Sequence, residues 1–434
     1  MSCEATGRYR RYKVKVCSPF WPVRAQDTSA GAASKPPLPE QPLDKCPVTP
    51  SLPRTMQTDR IRALVVAGAR PNFMKIAPIL RALRAAGHEG ILVHTGQHYD
   101  ASMSGTFFDE LGIPTPDYHL GVGTGTHAVQ TARIMEAFEP VLLEVRPDWV
   151  VVVGDVNSTM AAALVAVKLK EQTGVRICHV EAGLRSNDWR MPEEINRVVT
   201  DRLSDLLLTP SEDAAGNLTA EGIPLERIHF VGNVMIDTLF VQLQTARATD
   251  TLSRLGVSRR GYVATTLHRP SNVDDAQALR NVLTALGRVA ENTPVVLPLH
   301  PRTRKNVDQF GLTSLLGPLQ VLDPLGYTEM LALTEGAKCV LTDSGGIQEE
   351  TTALGVPCIT LREQTERPVT ITHGTNRLAP WPLTSDGIVG AYRDAIADAA
   401  LGALRQPAGW DGHAAERIVE ALVERGNNSV RPTV

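Results

Sequence analysis

The chain has 434 residues, of which 43% are hydrophobic and 21% charged, and a formal net charge of -3. That length exceeds one ordinary core and predicts two domains, while the near-neutral balance argues against nucleic acid or an anionic membrane as partner. No run approaches the ~20 uninterrupted apolar residues of a membrane helix, so the composition is that of a soluble globular enzyme.

Residues 1–58 stand apart from the rest. They hold nine prolines, and nine Lys or Arg against four acids. Without a sustained apolar period they cannot bury enough surface to offset the entropy of ordering, and they are read as a disordered extension. The opening lacks the apolar stretch of a secretory signal, and Met56, just ahead of the first strand, offers an alternative start. The six cysteines (Cys3, Cys17, Cys46, Cys178, Cys339, Cys358) have neither disulfide-framework nor CxxC spacing. Three of them fall in apolar strands, which fits buried reduced thiols and a cytoplasmic location.

From Ile61 the chain alternates strand and helix. Arg62 to Ala67 reads as a buried strand, followed by Gly68-Ala69-Arg70-Pro71-Asn72 and a helix to about Ala86, with Pro71 suited to its first turn. Ile91 to Thr95 is the second strand, Ala128 to Val145 a helix, and Trp149 to Val153 the third strand, ending in Gly154-Asp155. Strands Arg176 to Val180, Asp205 to Thr209 and Arg227 to Val231 follow, separated by helices Ser158 to Lys170, Glu193 to Arg202 and Glu212 to Ala220. Past Gly232-Asn233 a helix leads into a polar stretch, Gln244 to Arg260, read as the connection between domains.

A second series then begins, with strands at Tyr262 to Thr266, Pro294 to Leu299, Leu319 to Leu322, Ala337 to Leu341 and Val356 to Ile359. Helical patterns at Gly387 to Leu404 and Gly412 to Arg425 close the chain. This alternation predicts two doubly wound, Rossmann-like α/β domains facing a cleft, 59–235 and 236–408, with 409–434 packing back on the first. No repeat is visible between the halves in the residues themselves.

The stretch Lys338 to Thr360 is the most compact of these units. It reads as strand, Ser344-Gly345-Gly346 turn, helix Ile347 to Leu354 and strand. Such a turn gathers unpaired N–H groups and a helix dipole, which favours a phosphate; Ser344 adds a hydroxyl, and Glu350 lies one turn on, within reach of a ribose. An SGG turn alone is weak evidence for a phosphate and fits a plain tight turn better.

Polar residues concentrate after the strands, on the edge where such sheets bind ligands. Arg70 and Lys75 follow the first strand, Gln97 and His98 the second, Asp155 the third and Glu181 the fourth. Glu193, Glu194, Asn196 and Arg197 open the next helix. In the second half His268 and Arg269 follow one strand, and His300, Arg302 and Arg304 follow the next.

Singly, each has a structural alternative. Asp155 could cap a helix, Glu181 could pair with Arg185, Glu193 could complement a helix dipole, and His268 could be a satisfied loop histidine. Jointly, cations from both halves (Arg70, Lys75, Arg302, Arg367) suit a diphosphate, and three acids suit proton transfer. GARPNFMK is not GxGxxG, no Walker lysine motif follows a strand, and no HxH, HExxH or CxxC spacing offers a metal site.

The blocks GARPNFMKIAPIL, HTGQHYD, VVVGDVNSTMAA, HVEAGLRSNDWRMPEEINR, VGNVMIDTL, TLHRPSNVD, LPLHPR, LTDSGGIQEE and TERPVTITHGTNRL, in this order, resemble the non-hydrolysing UDP-N-acetylglucosamine 2-epimerases. The likeness runs from about Ile61 to the end. It implies a GT-B-like homodimer acting on a UDP-sugar, reversible conversion of UDP-N-acetylglucosamine to UDP-N-acetylmannosamine through a glycal, and no nicotinamide or other cofactor.

By position, Asp155, Glu181 and Glu193 resemble the family's catalytic acids and His268 its histidine near the leaving phosphate. Arg70, Lys75, Ser344, Gly345, Gly346, Glu350 and Arg367 resemble its UDP ligands, with the uracil near Leu325 and Met330.

There are departures. Asn72 stands where many members have Glu, Leu325 where some have Gln, and Asp100 where another polar residue occurs. Pro270-Ser271-Asn272 replaces the sequence of members activated by their own substrate, so allosteric activation is not expected. LHRPSNVD also occurs in relatives acting on diacetamido-uronic acid sugars, which leaves the sugar open. A GT-B glycosyltransferase and a non-catalytic nucleotide-sugar sensor are the competing functions.

Overall fold

The computed structural model describes residues 60–97, 108, 111–400, 402 and 406–427. The extension 1–58, including Cys3, Cys17 and Cys46, lies outside them, as do His98, Asp100 and the side chain of Arg70.

Thirteen strands among the described residues form two sheets. The first contains β1 (Arg62–Ala67), β2 (Glu89–His94), β3 (Tyr118–His119), β4 (Trp149–Val153), β5 (Arg176–Val180), β6 (Leu206–Thr209) and β7 (Ile228–Phe230), in the order β3-β2-β1-β4-β5-β6-β7. The second contains β8 (Val263–Thr266), β9 (Val295–Pro298), β10 (Gln320–Leu322), β11 (Cys339–Thr342), β12 (Cys358–Thr360) and β13 (Asn376–Leu378), in the order β10-β9-β8-β11-β12-β13. All pairings are parallel. In each sheet the chain winds outward from a central strand and returns to its other side. The order therefore reverses between β1 and β4 and between β8 and β11, opening a crevice beyond the carboxyl ends of those strands.

Both faces of the central strands are covered, which explains their unbroken apolar runs. Leu64 and Val66 pack with Phe138, Leu142, Val150 and Val152 on one side. Val65 and Ala67 pack with Ile76, Ile79, Trp149 and Val151 on the other. The second sheet buries Val263, Leu297 and Leu341 under helix Ala276–Ala290 on one face and Val296 and Val340 on the other.

Three readings of the sequence need correction. The helix after β11 spans Gly345–Ala353, so the two glycines form its first turn instead of a separate loop, with Ser344 as the preceding cap residue. Gly345 is needed there because a Cβ would come within 3.2 Å of Arg367 Nη1. The polar stretch read as the connection between domains is ordered helix at its start, through Ala248. Helix Val234–Ala248 packs on helices Arg70–Ala85 and Tyr327–Gly336, and Arg247 and Arg259 converge on the buried carboxylate of Glu335. Finally, the edge strands β3 and β13 are too short and polar to show an apolar run.

The last helix, Ala414–Asn427, lies against helices Arg70–Ala85 and Val234–Ala248. Ala414, Ile418 and Leu422 enter the core beneath β1 and β4. Asp237 accepts from the backbone N–H groups of Ala414 and Ala415, at 3.2 and 2.7 Å, supplying the cap that this helix start requires. Among the described residues, no helix is long and apolar enough to cross a membrane.

Candidate active site

The two crevices are built alike from a buried side chain that ties their middle strands. In the first, Asn72 accepts from the N–H groups of Gly68 and Ala69 at 3.1 Å each and donates to the Val153 carbonyl at 3.1 Å, joining the ends of β1 and β4. In the second, Asp343 accepts from the N–H groups of His268 at 3.0 Å and Arg269 at 2.9 Å and from Asn272 at 3.2 Å, joining β8 to β11. Burial alone would raise the Asp343 carboxyl, but His268 and these N–H donors outweigh it and hold it below the usual range. His268 Nδ1 lies 2.9 Å from Asp343 Oδ1, so the ring is oriented by that carboxylate and remains partly exposed.

Gly154 turns the chain sharply after β4, at φ +65°. Asp155 follows it, and its carboxylate pairs with Arg197 Nη2 at 2.5 Å. Helix Asn157–Thr173 is preceded by Val156 and receives no side-chain cap, so Asp155 does not serve as one. Burial works against the charge on Asp155, yet Arg197, Lys75 and Arg367 together keep its carboxyl below the usual range. Asp155 and Glu193 open on one pocket of about 330 Å³, lined also by Gln97, His127, Asn157 and Asn196. Glu193 has no hydrogen bond or ion pair among the described residues. Its neighbour Glu194 accepts from Ser186 and Asn187 N–H groups and pairs with Arg197.

Glu181, the residue after β5, is buried and held at φ 70°, an uncommon conformation for a residue with a side chain. It does not pair with Arg185, which instead binds Asp201 and Glu221. Its partners are Lys75 on one side and Arg367 on the other, the latter at 3.3 Å. Arg367 belongs to the second half and also meets Glu349 at 2.8 Å and Glu366 at 3.3 Å. Burial disfavours its charge, but those three acids raise its pKa. Glu366, in turn, is pushed down to about 2: Arg367 and Arg362 outweigh the opposing effect of burial. The chain Lys75–Glu181–Arg367 is thus one contact through which the two halves meet at the site; the Asn233 amide, donating to Glu349 at 2.9 Å, is another.

The other expected residues fall around this contact. Gly345 faces Arg367, and the Ser344 hydroxyl has no partner among the described residues. Glu350 sits deeper, where burial pushes its carboxyl up to about 8 beside Tyr327 and Glu349. Leu325 and Met330 pack against the face formed by Tyr262, Ala264 and Val340.

Some expected residues do not join. Arg302 is spent on an exposed pair with Asp274, at 2.8 Å through Nε, because it points from the first turn of helix Pro301–Gln309 toward that neighbour. His300 caps the same helix, and Arg304 pairs with Asp323. The sequence reading missed Asp343, Glu349 and Glu366. The adjacency of Asp343 to the SGG turn was the available signal for the first; nothing local marks the other two. No group of three or more His, Cys, Asp or Glu able to hold a metal occurs among the described residues.

Comparison with known proteins agrees with this geometry. Residues 81–423 match the family model described as UDP-N-acetylglucosamine 2-epimerase. The UDP-N-acetylglucosamine 2-epimerase of Methanocaldococcus jannaschii is 40% identical over 371 residues, 82% of this chain and 98% of that one. The UDP-2,3-diacetamido-2,3-dideoxy-D-glucuronate 2-epimerase of Pseudomonas aeruginosa is 43% identical over 374 residues, 84% of this chain and all of that one. The crystal structure of the M. jannaschii UDP-GlcNAc 2-epimerase with UDP-GlcNAc and UDP superposes with a TM-score of 0.74 at 39% identity, covering 84% of this chain and 100% of that one. The two parallel sheets with flanking helices are the GT-B-like architecture of these proteins. The chain belongs to the UDP-N-acetylglucosamine 2-epimerase family of enzymes.

Proposed function

We propose that this enzyme interconverts UDP-N-acetylglucosamine and UDP-N-acetylmannosamine by eliminating UDP and adding it back across a glycal. The C2 hydrogen has no neighbouring carbonyl to acidify it, so its removal must accompany departure of the diphosphate. The C2–H and C1–O bonds break, C1=C2 forms, a carboxylate takes the proton and UDP takes the electron pair. Re-addition with protonation from the other face inverts C2.

The observation that carries this reading is the Lys75–Glu181–Arg367 chain, which brings a cation from each half to a carboxylate beside Asp155. Lys75 and Arg367 stabilise the leaving diphosphate, with Arg70, Ser344, Gly345 and Gly346 around it. Asp155, Glu181 and Glu193 take the proton from C2 and return one to its other face, each positioned transfer contributing roughly 10²–10⁴ in rate. His268, oriented by Asp343, serves the phosphate. Glu350 takes the ribose hydroxyls, and Leu325 and Met330 flank the uracil. In the same proposal, residues 59–235 and 236–408 are the two domains, 409–434 returns to the first, and the enzyme works as a cytoplasmic homodimer.

Incubation with UDP-N-acetylglucosamine in D₂O, followed by NMR, tests the reaction. Deuterium at C2 of a manno product is expected, and unchanged substrate would refute the proposal. The similarity to the P. aeruginosa enzyme favours a second substrate, the UDP-diacetamido-glucuronate sugar. The same assay run on both sugars ranks them by initial rate.

A further inference from the structure

We propose that His179, in β5, is a positioning residue: as an imidazolium held by Asp201, it fixes the backbone turns that carry Asp155 and Glu181. The inference rests on the epimerase reading of those two carboxylates and goes beyond it. His179 is fully buried on a face otherwise occupied by Val150, Val152 and Ile177. Its Nδ1 lies 2.6 Å from Asp201 Oδ1, and its Nε2 lies 2.8 Å from the carbonyl oxygen of Gly154.

A carbonyl oxygen only accepts, so Nε2 must carry a hydrogen. Asp201 also accepts through Oδ2 from the Gly183 N–H at 3.1 Å and meets Arg185 Nη1 at 2.8 Å. The Arg185 guanidinium and the Gly183 N–H favour the ionised form of Asp201 independently of the histidine. As a carboxylate, Asp201 is an acceptor too, and the second ring nitrogen must then be a donor. With acceptors at both ends, the ring carries both hydrogens and a positive charge.

The two bonds reach both halves of the carboxylate pair. The Gly154 carbonyl belongs to the residue immediately before Asp155, in a turn with φ +65°. Gly183 is two residues beyond Glu181, whose own backbone is left-handed at φ 70°. A side chain at Gly183 would lie 2.4 Å from the Ala214 carbonyl oxygen, so that turn has a single course. Arg185 anchors the far end by a two-pronged contact with Glu221, at 2.6 and 2.8 Å. One chain, running from the exposed Glu221 through the buried Arg185 and Asp201 to His179, therefore sets the spacing of two reacting groups that touch neither His179 nor Asp201. A displacement of about 1 Å at such groups costs on the order of 100-fold.

The test uses the full-length enzyme and two variants that separate the bonds. His179→Gln keeps a donor where Nε2 stands, toward Gly154; His179→Asn keeps one where Nδ1 stands, toward Asp201. For His179→Asn, kcat should fall roughly 10- to 100-fold with KM and UDP affinity within about threefold of the parent, and His179→Gln should recover most of that loss. Equal kcat in the two variants, or a matching fall in UDP affinity, would overturn the positioning role. In the unaltered enzyme at pH 7.5, the ¹⁵N resonances of His179 should show both ring nitrogens protonated; a neutral-ring pattern would overturn the charge even if neither variant folds. If the parent enzyme is inactive on both sugars, the epimerase reading fails, while the NMR result still decides the charge.

Discussion

The two halves of the molecule share one winding pattern and use their acids differently. In the first half the tie between the middle strands is a neutral amide, Asn72, and the carboxylates Asp155 and Glu193 face an open pocket. In the second half the tie is itself a carboxylate, Asp343, consumed by backbone N–H groups, and Glu349 and Glu366 are consumed by Arg367. In the proposed reaction, the shared winding serves proton chemistry on one side and the fixing of a cation on the other.

The sharpest way to break this contrast is to neutralise the first-half acids. Asp155→Asn, Glu181→Gln or Glu193→Gln should each lower kcat by roughly 10²–10⁴, with UDP affinity by calorimetry nearly unchanged. Equal loss of both would move these residues into the binding machinery.

Next in size is Arg367→Ala, which leaves Glu349 and Glu366 buried without their shared cation. Urea unfolding should show about 3–5 kcal/mol lost, and UDP affinity should fall with it. Retained stability would mean that the second-half acids are compensated elsewhere.

Gly345→Val tests the approach to the same guanidinium, because a Cβ already comes within 3.2 Å of Nη1. Overpacking of about 1–3 kcal/mol should weaken UDP binding roughly tenfold. Unchanged affinity would remove this helix start from the site.

The effect spread over the widest range concerns Glu350, whose carboxyl is pushed up to about 8 by burial and by Glu349. Between its unfolded value of about 4.3 and 8, the folded chain holds a proton that the unfolded chain has released. This group's contribution to stability is therefore full at low pH and is lost as pH rises through that window. Glu350→Gln should flatten the decline by about 1.4 kcal/mol per pH unit, read from unfolding midpoints at pH 5, 6, 7 and 8. A parallel decline in both proteins would count against a protonated Glu350.

Much of this was legible from the residues. β1, β4 and β5 have the bounds expected from their apolar runs, because strands covered on both faces are bounded sharply by polar residues and glycine. β3 and β13 were not legible: they exist through pairing with β2 and β12, not through any pattern of their own. The ends of strands could be read as a polar rim, but not which cations serve it. Strand position alone treats Arg302 and Arg367 alike; the family resemblance singled out Arg367, and the partners they meet, Asp274 for one and Glu181 with Glu349 for the other, give the physical reason. The brace through His179 was hidden for the same reason, since its members are scattered from Gly154 to Glu221.

The return of helix Ala414–Asn427 to the floor beneath β1 and β4 also governs the order in which this protein is completed on the ribosome. The half translated first lacks Ile418 and Leu422 until every strand of the later half has been made, so its apolar floor stays uncovered in the meantime. Of the two sheets, the one made earlier is the one covered later.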